Sequence, residues 1–429
     1  MILDQKQNAQ LAMNVAKIGR VDFMNLRRQA TINTAGNTIY LFALWGLTVI
    51  TTRVLGYEDA GTLTLAIAIG NVIAMVQVFG VRGYQSSDMA FRVSSMNYLY
   101  TRFLTVFMGL VAGCLICLIL GNPLQVSLSI ILFMIMKTSE TFSDVLFGND
   151  QRVGHLEYAG YSMLARGLLL TALFFIGAKV FSNLNIALLI AAIGVLTLSL
   201  LVDLPLHKRT IRDKSSQNSG EIVFLLKQCF PLLIANLIPA VITAFPRVVL
   251  ERCYGAETLG IYGNVSTPAL LLTTIMPTIL TALLPGYGKA VEEKNIRIIK
   301  NTWLQSILGT VMLTAICMIG VWLLGRPFLS FVYTERIAEY IDYLYLILVA
   351  MLLYAITMCN STVLIALRKN WSITLTTTIA LIICVSASVP LVSRFGIGGA
   401  VAVLVISYAV QVMVQVLWIT KICRDGIYQ

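Results

Sequence analysis

The sequence predicts an all-α integral membrane protein of about twelve transmembrane helices, set out as two six-helix halves related by a pseudo-two-fold axis along the membrane normal. Three observations carry this expectation. Apolar residues make up 58% of the 429 positions, charged residues only 12%, and the mean hydropathy is +0.83. One soluble core cannot hide that much apolar surface. The apolar residues fall in continuous stretches of about 20, the length that crosses ~30 Å of hydrocarbon at ~1.5 Å per residue. Finally, Arg53-Val-Leu-Gly56-Tyr-Glu58-Asp-Ala-Gly61 recurs 199 positions later as Arg252-Cys-Tyr-Gly255-Ala-Glu257-Thr-Leu-Gly260. An offset near half the chain is what an internal duplication produces.

Residues 1–31 place Leu11, Val15 and Ile18 at helical spacing among Lys17, Arg20, Arg27 and Arg28. Without an apolar core and a small-residue cleavage site, this segment reads as a retained cytoplasmic interfacial helix and not a signal peptide. The N-terminal half, 32–205, holds apolar stretches near 32–52, 60–80, 103–120, 124–146, 159–178 and 184–205. Residues 206–228, with His207-Lys208-Arg209 and the polar run 214–220, form a cytoplasmic linker. The C-terminal half, 229–420, supplies stretches near 229–251, 258–284, 303–324, 340–366, 371–391 and 397–419, and 421–429 is a cytoplasmic tail. The stretches do not alternate with a period of two, which favours helices over a barrel.

An N-terminus inside puts 22 of the 31 Lys and Arg on the cytoplasmic side. Six lie outside (Arg53, Lys179, Arg252, Arg326, Arg336 and Arg394), and Lys137, Arg166 and Arg247 fall within spans. This asymmetry predicts both termini inside. The net charge of +11 then reads as an orientation signal and an attraction to anionic membrane lipid, with no nucleic-acid partner. Five of the eight cysteines lie inside spans, so the Cys114–Cys117 pair reads as small apolar packing. His155 and His207 stand alone, and no metal site is expected. There is no phosphate-binding Gly-rich loop and no H-E-x-x-H helix. The longest outer connection, 325–340, is about sixteen residues. No catalytic residue, cofactor or enzyme activity is therefore expected; a membrane glycosyltransferase or polymerase is the enzyme-class alternative.

Ionisable residues inside spans point most directly to function, because each central charge costs ~2.5–3.5 kcal/mol on insertion scales. Lys137, Glu140, Thr141 and Asp144 fall within an arc of about 100° on the fourth span, and Arg166 lies at similar depth on the fifth. Arg247, Arg166, Lys137, Glu140 and Asp144 are thus the candidate substrate-binding residues. The alternative is internal neutralisation, with Lys137 on Glu140, Arg166 on a carboxylate such as Glu140, and Arg247 on Glu251. In that alternative Asp144 and Asp203 lie near inner ends, in water. Arg82, Tyr84, Gln85 and Asp88 form a candidate gate at the inner entrance; the alternative has Asp88 capping an interfacial helix that carries Met89, Val93, Met96 and Tyr100.

The repeated turns favour a structural reading. Gly56 and Gly255 end a helix in a left-handed conformation, while Glu58 and Glu257 sit near the start of the next. Arg53 and Arg252 anchor at the interface, and Gly61 and Gly260 complete the pattern. Pro231, Pro239, Pro246, Pro268, Pro277 and Pro285 predict kinks in the seventh and eighth spans.

The run Asn37-Thr-Ile-Tyr40, then Thr52-Arg53 through Gly61, then Phe79-Gly-Val-Arg82-Gly-Tyr84-Gln85-Ser-Ser-Asp88 resembles the start of the polysaccharide-repeat (Wzx-type) flippases. These belong to the multidrug, oligosaccharidyl-lipid and polysaccharide exporter superfamily. The sharp match spans about 50 residues. The resemblance implies a multi-pass transporter of the cytoplasmic membrane that moves a polyprenyl-diphosphate-linked oligosaccharide outward by alternating access. Its head group would pass between the halves, with a polysaccharide polymerase and glycosyltransferases as working partners. Relatives that export drugs or flip the peptidoglycan precursor are the alternatives. The loop after the second span, 82–92, lacks the motif of a major-facilitator transporter.

Overall fold

The computed structural model describes residues 23–88, 92–208, 218–293 and 295–425, and every regular element among them is helical. Helices α1 (Phe23–Val54) and α2 (Tyr57–Val78) meet at the first repeated turn, followed by short α3 (Val81–Ser87) and α4 (Ser95–Leu120). Next come α5 (Leu124–Val153), α6 (Glu157–Phe181) and α7 (Leu184–Leu198), which runs through a π-helical turn, Ser199–Asp203, into α8 (Leu204–Lys208). The remainder is α9 (Ser219–Glu292), α10 (Ile296–Val332), short α11 (Glu335–Ala338), α12 (Ile341–Ala366) and α13 (Asn370–Asp425). Ser94, Asn183 and Asn295 each accept a backbone N–H at a helix start, satisfying donors that a helix leaves open there. The expected interfacial helix around Leu11, Val15 and Ile18, the linker residues 209–217 and Met89 lie outside the described residues.

Among the described residues nine helices are long and apolar enough to cross a membrane. The difference from twelve stretches has two causes. Helices α9 and α13 each run two stretches end to end, leaving helical geometry only at Gly255 and Gly396. Helix α5 has 30 residues but carries Lys137, Glu140, Asp144, Asp150 and Arg152, and does not qualify by composition. The kinks expected at the prolines of α9 do not appear as breaks, since Gly255 alone departs from helical dihedrals. Large apolar residues on α4 and α10, such as Phe107, Ile119, Trp322 and Phe331, point outward, as lipid contact requires.

The two repeated turns lie against each other. Gly56 (φ 104°, ψ −177°) and Gly255 (φ 80°, ψ 173°) share one conformation, open essentially to glycine alone. The positive φ is as expected. The extended ψ differs from a left-handed helix cap and turns the chain straight into the next helix. Five residues on, Gly61 comes so close that a Cβ would lie 1.7 Å from the Ala256 carbonyl oxygen, and one on Gly260 would lie 2.3 Å from that of Tyr57. The ninth position of each copy thus touches the fifth position of the other, the reciprocity of a two-fold relation. The most extensive helix packing in the molecule, α2 against α9, starts from this point.

Candidate functional site

The end of the bundle that holds the repeated turns is sealed by polar contacts between the two parts of the chain. Arg53 donates through Nε to the carbonyls of Val332 (2.8 Å) and Tyr333 (3.0 Å), and through Nη2 to that of Phe331. Arg252 donates to the Leu120 carbonyl and the Asn122 side chain. Each repeat arginine therefore reaches the C-terminal end of a long helix in the other part, α10 or α4. Carbonyls there lack helical partners and carry negative partial charge, so they attract a guanidinium. Both arginines are exposed, and beyond the interfacial position expected of them they hold protein carbonyls. Tyr57 and Thr334 hydroxyls meet at 2.6 Å, Asn264 donates to Thr52 at 2.7 Å, and Arg336 pairs with Glu257 at 2.6 Å. Glu58 and Glu257 sit in the first turn of the helix after each glycine, as expected.

Beneath the seal is a cavity of about 470 Å³ between α1, α2 and α9, with Tyr354 of α12 on its wall. It extends from Trp45 and Thr48 toward Leu41, Met75 and Ala240, away from the sealed end. Hydroxyls and an amide line it, from Thr48, Thr64, Asn71, Thr243, Ser266 and Thr267. Among the described residues Arg247 is the one charged residue on its wall. It is 6% exposed, its guanidinium carbon lies 5.7 Å from the centre of the Tyr262 ring, and its Nε has no hydrogen-bond partner among the described residues. Glu251, four residues on, contacts Arg252 instead (3.6 Å). Arg247 holds no ion pair among the described residues. A buried guanidinium with an aromatic face and no carboxylate is a strong anion attractor, because burial lowers the dielectric and leaves its donors unused.

The remaining candidates do not join Arg247. They divide into separate groups inside the first part of the chain. Lys137 pairs with Glu140, whose carboxylate also accepts from the Tyr40 hydroxyl at 2.6 Å. This is the i,i+3 pair the sequence allowed. Asp144 is shared by Arg82 (2.7 Å) and Arg102 (3.2 Å). Arg166 donates to Ser143 (2.7 Å), Ser199 (2.9 Å) and Asp203 (2.8 Å), and both Arg166 and Asp203 are 1% exposed. Arg166 is therefore not on the cavity wall, its carboxylate is Asp203 and not Glu140, and Asp203 is not in water. The π-helical turn makes this possible by swinging Ser199 and Asp203 toward α5 and α6.

At the end opposite the seal, Asp88 is buried and accepts the backbone N–H groups of Arg92 (3.0 Å) and Val93 (3.2 Å), the Tyr98 hydroxyl (3.1 Å) and Arg152 (3.4 Å). It ties down the α3–α4 connection. Gln85 is buried against Gly148, and the Tyr84 ring lies edge-on to Phe224 of α9 at 6.1 Å. Arg82 is partly exposed, at 31%, and its charged end is held by Asp144. Sequence reasoning passed over Arg102 because it borders the apolar stretch by one residue, and over Asp203 because it lies near a span end. Trp45 and Tyr333 carried no sequence signal at all.

The description that fits the chain follows from its matches. The family model of polysaccharide biosynthesis proteins matches residues 26–291, from α1 through almost all of α9. The chain belongs to that family. One relative is the capsular polysaccharide biosynthesis protein CapF of Staphylococcus aureus, 24% identical over 294 residues, 66% of this chain and 71% of CapF. Among solved structures, the inward-facing conformation of a multidrug resistance MATE family transporter of the MOP superfamily aligns with a TM-score of 0.72 at 16% identity, covering 93% of this chain and 98% of its own. The lipid II flippase MurJ in an inward closed conformation gives 0.67 at 14% identity, over 91% of this chain and 87% of its own. This member of the family thus has the helical membrane fold of those two transporters.

Proposed function

We propose that the protein is a flippase that carries a polyprenyl-diphosphate-linked oligosaccharide repeat unit across the cytoplasmic membrane for surface polysaccharide synthesis. Both termini are cytoplasmic and the sealed end faces outward in this reading. Two six-helix halves then rock about the contact between the repeated turns, and the structure is the inward-open partner of an alternating cycle. The single observation that carries the cargo assignment is Arg247, a buried guanidinium without a carboxylate in a cavity otherwise lined by hydroxyl, amide and apolar groups. Its donor fork suits phosphate oxygens. The hydroxyls, Asn71 and the Trp45 and Tyr354 rings suit sugar, whose faces are apolar and whose edges hydrogen-bond. A cationic drug would meet repulsion at the same point, which weighs against the multidrug reading that the shared fold leaves open. The family and the capsular relative support a role in polysaccharide synthesis.

The test is transport in cells deprived of their own flippase, read as surface polysaccharide at matched protein level. Arg247→Ala should abolish it and Arg247→Lys should retain part, since Lys keeps the charge and loses the fork. Arg247→Ala with Glu251→Ala should be no better than Arg247→Ala, because Glu251 leans on Arg252. Wild-type transport by Arg247→Ala would refute the cargo contact.

A further inference from the structure

Tyr333 lies beside the cavity on the side of the repeated turns, behind Trp45 and Thr48 of its wall. It is the first residue after α10, in the connection that leads to α11, yet its side chain is only 1% exposed. The ring reaches inward from a surface connection, and its hydroxyl ends between two residues of the cavity wall. Trp45 Nε1 donates to that hydroxyl at 2.7 Å, and Thr48 Oγ1 lies 3.2 Å away. Thr48 spends its own proton on the Trp45 carbonyl at 2.8 Å, so its oxygen accepts from Tyr333. The phenol therefore accepts from one wall residue and donates to the other, with Thr267 of the same wall also beside it, and this hydrogen bonding is met while the ring stays in place. The backbone of the same residue is held from the far side, where its carbonyl accepts from Arg53 at 3.0 Å. One residue thus joins the wall of the cavity to the arginine clasp of the repeated turn.

We propose that Tyr333 is the plug of the sealed end, and that its hydroxyl, shared with Trp45 and Thr48, sets how often that end opens to the cavity. Trp45 and Thr48 are also groups that anything bound beside Arg247 would meet, because all three line one cavity. In the repeat register Arg247 is the counterpart of Thr48, 199 positions on. A bound anion or sugar hydroxyl that takes the Trp45 donor or the Thr48 acceptor leaves the Tyr333 hydroxyl with an unmet bond. That raises the cost of the closed state, since a buried polar group without its partner is destabilised. Occupancy of the cavity and release of the seal then share the same few atoms.

The proposal rests on the transporter reading, and the test measures access instead of transport. In the full chain without its native cysteines, Thr243→Cys places one thiol on the cavity wall. Membrane vesicles of both orientations are treated with an impermeant maleimide. With Tyr333 intact, labelling should occur from one face only. Tyr333→Phe keeps the ring and removes the hydroxyl, and should raise labelling from the other face about five-fold, the scale of one lost hydrogen bond. Trp45→Phe should act in the same direction, and Arg53→Ala should add to either. Labelling from one face only in both Tyr333→Phe and Trp45→Phe, at normal abundance, would overturn the plug. Because no cargo enters the measurement, an error in the cargo assignment would leave the result unchanged.

Discussion

Arg166 and Arg247 are both buried in spans, 1% and 6% exposed, and they live in opposite company. Arg166 has a carboxylate and two serine hydroxyls on a single nitrogen, while Arg247 has an aromatic ring and a cavity. The first is a charge cancelled inside a helix pack, where breaking a pair costs more than never having made it. The second is a charge left over, and in hydrocarbon a leftover charge is held only at a price that stability alone does not explain. The separation of cancelled from uncancelled charge is therefore a better pointer to function than the presence of charge. Lys137 with Glu140, Arg102 with Asp144 and Arg152 with Asp88 fall on the cancelled side.

The comparison breaks most visibly at Arg166. Arg166→Ala should destabilise the protein by about 3–5 kcal/mol, because Asp203 is left as an unpaired buried carboxylate. Thermal unfolding in detergent and abundance in the membrane measure this. Arg166→Met with Asp203→Leu should recover most of the loss, since neither charge then remains. A stable Arg166→Ala would place Arg166 with Arg247 and dissolve the distinction. A smaller effect tests the frame that both arginines share. Gly61→Ala puts a methyl group 1.7 Å from the Ala256 carbonyl oxygen and should cost roughly 1–3 kcal/mol, as overpacking does. Gly286→Ala, with open space around it, should be neutral or mildly stabilising in the same assay. The smallest change in stability belongs to Arg247→Met. It should unfold at the wild-type temperature or slightly above while transport is lost, and a fall like that of Arg166→Ala would make Arg247 structural.

What the sequence disclosed follows from what is local. Stretch length gives the spans, and the glycines at 56 and 255 show themselves because a positive φ with an extended ψ excludes other residues. The pairing of charges is not local. Depth along neighbouring helices brought Arg166 near Glu140, yet the partner is Asp203, which reaches it through a π-helical turn that no pattern of apolar residues reveals. Glu251 stands one turn from Arg247 in sequence and leans toward Arg252. That Arg53 also holds the carbonyls of 331–333 was hidden, because sequence does not say which helix end lies beside it. Tyr333 was invisible for the same reason, as its value comes from residues such as 45, 48 and 53, far away along the chain.

The mutual contact of Gly61 and Gly260 also fixes where motion is cheap. Two backbones pressed together without side chains between them leave almost no room to slide, but they tolerate rotation about the point of touch. Helix α2 runs from that point to Val78, roughly 26 Å at the rise of an α-helix. A swing of about 10° there would carry its far tip by roughly 4–5 Å, by the same rise per residue. In the proposed transport cycle this contact is the fulcrum, and α2 and α9, which cross there, both carry residues of the cavity wall.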